Sequence, residues 1–276
     1  MATPKNQSVL KAFSMLQCFH RPDEWLTSCE LSRRANLPEA SGYRLIQTLE
    51  EIGAVVRGPR GRYRPGMLLV SLSHNVAIGE LLREASHGIT SELANRLNLT
   101  VHLGLLEGGM VSYVAKVSAP SAFPVHTRVG SQLEAYCSGL GKVLLAALPH
   151  DQLESFILDG ELVALTPYTI TDRALLLAEL DRVRSQGFSF DDRESQAEMR
   201  CIAVPIHDGE GRTVAAMSAT DSALRMTPER REEVRAALVE AAAAIGRKVY
   251  PAGARQSLAA GAMPRRRMPE LSQAAG

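Results

Sequence analysis

The spacing of apolar positions divides the chain into two unlike stretches. Val9, Ala12, Phe13, Leu16 and Phe19 recur at helical intervals and predict a first helix from about Ser8 to Phe19. Pro22 and the polar run around it break that pattern. Thr27 followed by Glu30 has the spacing of a capping box and predicts a short second helix to about Ala35, with Leu31 and Ala35 turned inward. After the turn at Asn36-Leu37-Pro38, a third helix is predicted from about Glu39 to Ile52. Leu45, Ile46, Leu49 and Ile52 form its apolar face, and Gly53 is placed to end it in a left-handed conformation. Ala54–Arg57 and Arg62–Arg64 then read as two short strands around a Gly-Pro-Arg-Gly turn. Three helices and a small hairpin make a winged helix-turn-helix.

Beyond residue 66 the pattern changes. Residues 67–97 look mostly helical, and residues 100–117 are two strand-like runs joined at Glu107-Gly108-Gly109, a hairpin signal. Helices are predicted over 138–148 and 172–187, the latter ended by Gly187. Residues 199–220 form another pair of apolar strands around Asp208-Gly209-Glu210-Gly211, and a long Ala-rich helix follows from about Pro228 to Val249. This order predicts an α+β arrangement, a sheet with helices packed on one side. The expected organisation is a DNA-binding domain at 6–66, a linker helix at 67–80, a second domain at 81–250, and a tail at 251–276 with too little to bury to order itself.

Two domains are the ordinary expectation for 276 residues. The formal charge of +1 conceals an asymmetry: residues 1–65 hold ten Lys and Arg against six acids, which favours a local polyanion site. Cys18, Cys29, Cys137 and Cys201 are scattered without a Cys-x-x-Cys pair, so neither a zinc site nor a disulfide framework is expected. No apolar run approaches the roughly 20 residues that cross a bilayer, and the first residues lack a signal-peptide cleavage pattern. A cytoplasmic protein with no cofactor, no metal and no membrane partner is the expectation.

The third helix carries the first candidate chemistry. Its non-apolar face holds Ser41, Tyr43, Arg44, Gln47 and Thr48. The major groove admits one helix, whose early side chains reach base edges. Arg44 has the fork to read guanine and Gln47 the amide to read adenine, while Ser41 and Tyr43 can reach phosphates. Arg57, Arg60, Arg62 and Arg64 of the hairpin would supply charge that is blind to sequence. An ordinary solvated helix face has the same composition, and a winged helix can also dock onto protein.

Several segments, taken in order, carry a resemblance. "SVLKAFSMLQCF", "LTSCELSRRANLPEASGYRLIQTLEEIGAVVR" and "GRYRPGMLLVSL" resemble the DNA-binding domain of the isocitrate-lyase-regulator (IclR) family of bacterial transcription factors. "VGSQLEAYCSGLGKVLLA", "GFSFDDRES", "MRCIAVPI" and "VAAMSAT" resemble its effector-binding domain, over residues 6 to 249 in all. The family's usual Lys-Ser-Thr-like run is Glu39-Ala40-Ser41-Gly42 here, and its frequent Leu-Pro is Leu133-Glu134. The resemblance implies a winged helix followed by a GAF-like α/β effector-binding domain. It also implies a homodimer or homotetramer, a palindromic operator in double-stranded DNA, and a small organic acid as effector, aromatic acids among them.

The remaining candidates follow from that resemblance and from the residues themselves. Gly139-Leu140-Gly141-Lys142 is not a phosphate loop, because its spacing is wrong and Val143 replaces the required hydroxyl. A glycine-rich helix start can hold a carboxylate on its free N–H groups, or can simply pack closely. The resemblance sets Gly139 and Leu140 against the effector, and adds Asp191, Met199, Cys201, Ser218 and Thr220 as lining, with Val125, Tyr136 and Cys137 nearby. Taken singly, a buried Cys or Met is core. The sequence has no Gly-x-Ser-x-Gly and no His-Glu-x-x-His, and its seven histidines are dispersed, so no catalytic residue is expected. Two alternatives stay open: an enzyme acting on a small organic acid, and a winged-helix protein-interaction module.

Overall fold

The computed structural model describes residues 4–21, 23–159 and 161–250; the tail expected to be disordered, 251–276, lies outside the described residues. Two compact units divide between Val76 and Ala77.

In the first unit, α1 (Gln7–Leu16), α2 (Ser28–Arg34) and α3 (Glu39–Glu51) pack with a three-stranded antiparallel sheet of β1 (Leu26–Thr27), β2 (Val55–Arg57) and β3 (Arg62–Pro65), in the order β1-β3-β2. The capping box forms as its spacing requires: the Thr27 hydroxyl accepts the Glu30 N–H and the Glu30 carboxylate accepts the Thr27 N–H. Gly53 takes φ +76 and turns the chain from α3 into β2. Met15, Leu26, Leu31, Ile46, Leu49, Val55 and Tyr63 make the core, and α4 (Met67–Ser73) lays Leu68 and Leu69 against it.

Three details differ from the sequence reading. Helix α1 ends at Leu16 rather than Phe19, because Cys18 and Phe19 bond back three residues instead of four and tighten the chain into a turn. Val9 and Phe13 are 52% and 60% exposed, so half of the apolar stripe of α1 stays outside the core. Ile52 is also exposed, since it caps α3 beyond the last turn that touches the core, leaving Ile46 and Leu49 to anchor that helix.

The second unit opens with α5 (Ile78–Leu97) and builds a six-stranded antiparallel sheet. Its strands are β4 (Thr100–Glu107), β5 (Met110–Ser118), β6 (Gln132–Glu134), β7 (Ser189–Asp192), β8 (Met199–His207) and β9 (Thr213–Ser222), in the order β6-β5-β4-β9-β8-β7. Gly108 and Gly109, both at positive φ, form the two-residue turn between β4 and β5. The helices are α6 (Gly139–Ala146), α7 (His150–Asp159), α8 (Arg173–Gln186) and α9 (Pro228–Val249).

The expectation of helices on one side is corrected here. Alternation along the central strands sends Val101, Leu103, Ile202, Val204, Met217 and Ala219 to the face covered by α5 and α9. The opposite face carries Tyr113, Ala203 and Ala216 beneath α6 and α8. The central strands are buried on both faces, which is why 199–220 reads as nearly continuous apolar sequence. The two halves of the sheet's second face differ: part is apolar, and part carries His102, Asp191, Ser218 and Thr220, all buried. That polar part is where a site can form.

Candidate DNA interface and effector site

Helix α3 presents its polar face outward. Tyr43, Arg44, Gln47 and Thr48 are exposed and Ser41 is half-buried, while Gly42, Ile46 and Leu49 turn inward. The Gln47 amide donates to the Tyr43 hydroxyl at 3.0 Å, so these two side chains stand as a pair on the surface. The Thr48 hydroxyl donates to the Arg44 carbonyl. Glu39, the acidic departure at the start of α3, accepts the Cys29 thiol at 3.1 Å, and that contact raises the thiol above its ordinary range. Gly42 has a packing reason: a β-carbon there would fall 1.9 Å from Ser32 Oγ, so the glycine lets α3 lie directly on α2.

The wing stands beside this face. Arg57, Arg60, Arg62 and Arg64 are all exposed, and Arg60 sits at the hairpin tip in a left-handed conformation with φ 58. Among the described residues these arginines and the polar face of α3 are exposed together, a surface that suits one long, charged partner.

In the second unit, strand register assembles the other site. Asp191 pairs with Cys201, Cys201 with Thr220, and Thr220 with Thr100, making one row across the sheet. The next row on the same face runs Ser189, Ala203, Ser218, His102 and Lys116. Above them stands the N-terminus of α6, capped by Ser138, whose hydroxyl accepts the Gly141 N–H. A small cavity of about 20 Å³ lies between. It is lined by Val125, Gly139, Leu140, Asp191, Met199, Cys201, Ser218 and Thr220, together with His102, Tyr113, Leu133, Ser138 and Ser195. Wider grooves elsewhere on this unit, one of about 260 Å³ beside Val143, Val183 and His207, lack such converging buried polar groups.

Tyr136 and Cys137 do not reach the cavity. The Tyr136 hydroxyl donates to the Val163 carbonyl and accepts the Val163 N–H, which fixes the following loop instead. Burial pushes the Cys137 thiol up to about 12, so it stays protonated as a core group. Conversely, His102, Tyr113 and Ser195 line the cavity without having been singled out. Strand alternation could have found His102, since it is the cross-strand neighbour of Ser218.

Burial governs the electrostatics of the cavity. Burial, reinforced by the Lys116 charge, pulls His102 down to about 3, and its Nε2 lies 2.7 Å from Thr127 Oγ1. Burial raises the Tyr113 phenol, and it raises Cys201 to about 12. Asp191 is raised by burial against the lowering effect of Ser195, Lys142 and two backbone amides; its oxygens accept the Glu194 N–H and the Ser195 hydroxyl, both at 2.7 Å. Lys142, the lysine of the glycine-rich segment, points away from the cavity into Glu179, Glu194 and the Phe190 carbonyl. A ligand here would meet hydroxyls, a thiol, an imidazole and helix N–H groups rather than a free cation. No cluster of His, Cys, Asp or Glu among the described residues is arranged to hold a metal ion.

A winged helix-turn-helix with its polar face exposed, joined to a sheet domain with a buried polar cavity, defines a one-component transcription regulator: one unit for DNA, one for a signal. Comparison with known proteins gives the lineage. The family described as Bacterial transcriptional regulator IclR C-terminal matches residues 75–247, and the IclR helix-turn-helix domain matches residues 8–59. The chain therefore belongs to the IclR family of bacterial transcriptional regulators. It is 31% identical over 251 residues to the HTH-type transcriptional regulator XynR of Escherichia coli, covering 90% of this chain and all of that protein. Among solved structures, the IclR of Thermotoga maritima aligns with a TM-score of 0.59 at 30% identity over 88% of this chain and 98% of its own. An IclR homologue from Microbacterium hydrocarbonoxydans, solved in complex with 4-hydroxybenzoate, aligns with a TM-score of 0.59 at 26% identity over 88% and 99%.

Proposed function

We propose that this regulator binds a roughly palindromic operator as a homodimer, able to pair into a tetramer, in the cytoplasm, and that a small monocarboxylic acid, aromatic acids included, is its effector. The observation that carries the DNA half is the exposed set Tyr43, Arg44, Gln47 and Thr48 beside the wing arginines. Arg44 and Gln47 read base edges, Ser41 and Tyr43 steady the helix on the backbone, and Arg57, Arg60 and Arg62 supply the salt-dependent affinity.

The cavity under α6 supports the effector half. The N–H groups of Gly139 and Leu140 open the helix and favour a carboxylate, while Cys201, Ser218 and Thr220 offer neutral contacts along its length. At about 20 Å³ the cavity has room for little more than one water, so an aromatic acid binds only after the wall opens. Binding then favours the opened state and shifts the population of DNA-binding arrangements by the difference in affinity between them. The chain acts as a binder rather than an enzyme: Asp191 is the only acid lining the cavity, and both its oxygens are occupied by the loop that follows it.

The test is a mobility-shift titration of duplex from the regulator's own upstream region, with and without 4-hydroxybenzoate and aliphatic monocarboxylates. Salt-sensitive, sequence-selective retention altered by an acid supports the reading. Absence of retention at low salt would favour the protein-interaction alternative.

A further inference from the structure

The chain has one tryptophan, Trp25, and it lies on the wing rather than in the core. It is half-buried, one residue before β1. The pairing of Leu26 with Tyr63 and Thr27 with Arg62 sets it opposite Arg64, and the Arg64 guanidinium stands 5.0 Å from the centre of the indole ring. The Trp25 carbonyl accepts a hydrogen bond from Arg62 Nη1 at 3.2 Å. The far edge of the ring crosses to the loop after β2 and rests on Gly58, where an added β-carbon would fall 2.1 Å from Cζ3 and 2.4 Å from Cη2. Gly58 has φ −112, an ordinary value for any residue, so its backbone does not require glycine; the indole does.

One residue thus ties together the strand before the wing and the wing itself: its ring holds Arg64 and the loop at Gly58, and its backbone carbonyl holds Arg62. The wing is otherwise a short hairpin whose charged side chains are free to move, and an isolated hairpin is marginal on its own. An arginine held over an aromatic face loses less freedom when it meets a phosphate than one that starts unrestrained. We propose that Trp25 is a positioning residue for DNA binding, holding Arg62 and Arg64 in the arrangement from which they meet the phosphate backbone. The proposal rests on the DNA-binding reading above and adds a residue that holds two of its wing arginines in place.

The test uses the full chain and a labelled duplex of arbitrary sequence, because backbone contacts do not depend on sequence; affinity is read by anisotropy across a salt series. Trp25→Ala keeps the carbonyl that holds Arg62 but removes the ring under Arg64; it is expected to weaken binding on the order of tenfold, as expected for losing one phosphate contact, and to lower the salt slope by about one. Trp25→Phe keeps a flat ring under Arg64 and should retain most of both. Gly58→Ala displaces the indole, so it should weaken binding in the wild-type background and have no further effect with Trp25→Ala. Tryptophan emission of Gly58→Ala alone should shift towards that of an exposed indole. If Trp25→Ala fails to fold, Trp25→Phe and Gly58→Ala still decide the matter. Unchanged affinity and slope in Trp25→Ala, or in Gly58→Ala, overturn the positioning role while leaving the DNA reading intact; failure of the wild-type chain to bind any duplex overturns both.

Discussion

Lys142 Nζ lies 2.5 Å from Glu194 Oε1 in the interior of the second unit, with no solvent on the lysine at all. Glu179 holds the same ammonium at 3.0 Å and is itself bridged by Arg182, while Asp191 stands close by on β7, three residues before Glu194. The second oxygen of Glu194 is buried and makes no hydrogen bond. Burial disfavours the lysine charge, but the two carboxylates overcome it and Lys142 stays protonated. Glu194 is left with the weaker claim: burial, with Asp191 and Glu179 nearby, raises it from 4.5 to about 7 against the pull of Lys142.

The sign of the pH dependence follows. Between pH 4.5 and about 7 the folded chain holds a proton on Glu194 that the unfolded chain has released, so stability falls as pH rises through that window. Asp191, also raised, adds to the same slope. Chemical denaturation from pH 5 to 8 should show a decline of at most roughly 3 kcal/mol, and Glu194→Gln should flatten much of it. A slope as steep in the variant as in the parent would assign the proton elsewhere.

Gly42 and Ser32 make a second testable pair. With only 1.9 Å between a β-carbon at 42 and Ser32 Oγ, and 2.9 Å to its Cβ, Gly42→Ala must push α3 off α2 or twist Ser32 aside. Alanine favours the helix by about 1 kcal/mol, whereas overpacking costs about 1–3 kcal/mol, so the variant should be destabilised and should bind its operator less well. Ser32→Gly in the same chain should restore both by making room. Thermal unfolding of the single and double variants checks it.

Much of this architecture is legible because local signals agree with the fold. The Thr27–Glu30 box, the Gly53 and Gly187 helix ends, the Gly108-Gly109 turn and the bounds of α9 all stand in the structure as the sequence suggests. What is not legible depends on contacts distant in sequence. Strand β7 is four residues long, and only its pairing with β8 makes Ser189–Asp192 a strand. Helix α7 is only ten residues long; Leu153, Phe156 and Ile157 stand at helical spacing there, a signal the sequence reading above does not use. Tyr136 looks like a pocket aromatic beside Gly139, yet its hydroxyl is spent on Val163, 27 residues away. His102 reads as one dispersed histidine until the β4–β9 register sets it beside Ser218.

The loop beside the proposed effector cavity should control ligand affinity. Lys116 Nζ donates to the carbonyls of Val125 and Thr127, at 2.6 and 2.9 Å, and the Thr127 hydroxyl pairs with His102. These bonds hold Val125 in the cavity wall and so stabilise the closed form. Thr127→Val removes one of them and leaves His102 buried with a partner missing, which costs the closed form about 1–3 kcal/mol. Since apparent affinity scales with the fraction of chains in the competent state, 4-hydroxybenzoate or any acid that binds should bind on the order of tenfold more tightly to the variant. Calorimetry that found weaker binding would place the loop among the contacts of the bound state instead.

Asp191 separates pocket from scaffold. Its carboxylate accepts the Glu194 N–H and the Ser195 hydroxyl, so it shapes the turn that carries Glu194 to Lys142 as well as lining the cavity. Asp191→Asn keeps one oxygen for the Glu194 N–H and removes the charge. If the effector is an anion held by the α6 N-terminus, removing a neighbouring negative charge should leave operator binding unchanged and tighten the acid. A blunted response in Asp191→Asn would show that the ligand is instead a hydrogen-bond donor to this carboxylate.

The sharpest division of labour lies on α3. Arg44 is exposed, its side chain makes no hydrogen bond to the described residues, and its backbone carbonyl is already occupied by the Thr48 hydroxyl, so Arg44→Ala removes a guanidinium without disturbing the helix. A guanidinium that reads a guanine edge contributes discrimination as well as charge, whereas one that meets a phosphate contributes charge alone. Arg44→Ala should therefore lose about 1–3 kcal/mol on the cognate operator, much less on random duplex, and relax preference at one base pair in each half-site. Arg60→Ala, at the wing tip, should weaken cognate and random duplex alike and lower the salt slope by about one. Equal losses on both duplexes for Arg44→Ala would move that residue to the backbone and leave Gln47, paired with Tyr43, as the reader of sequence.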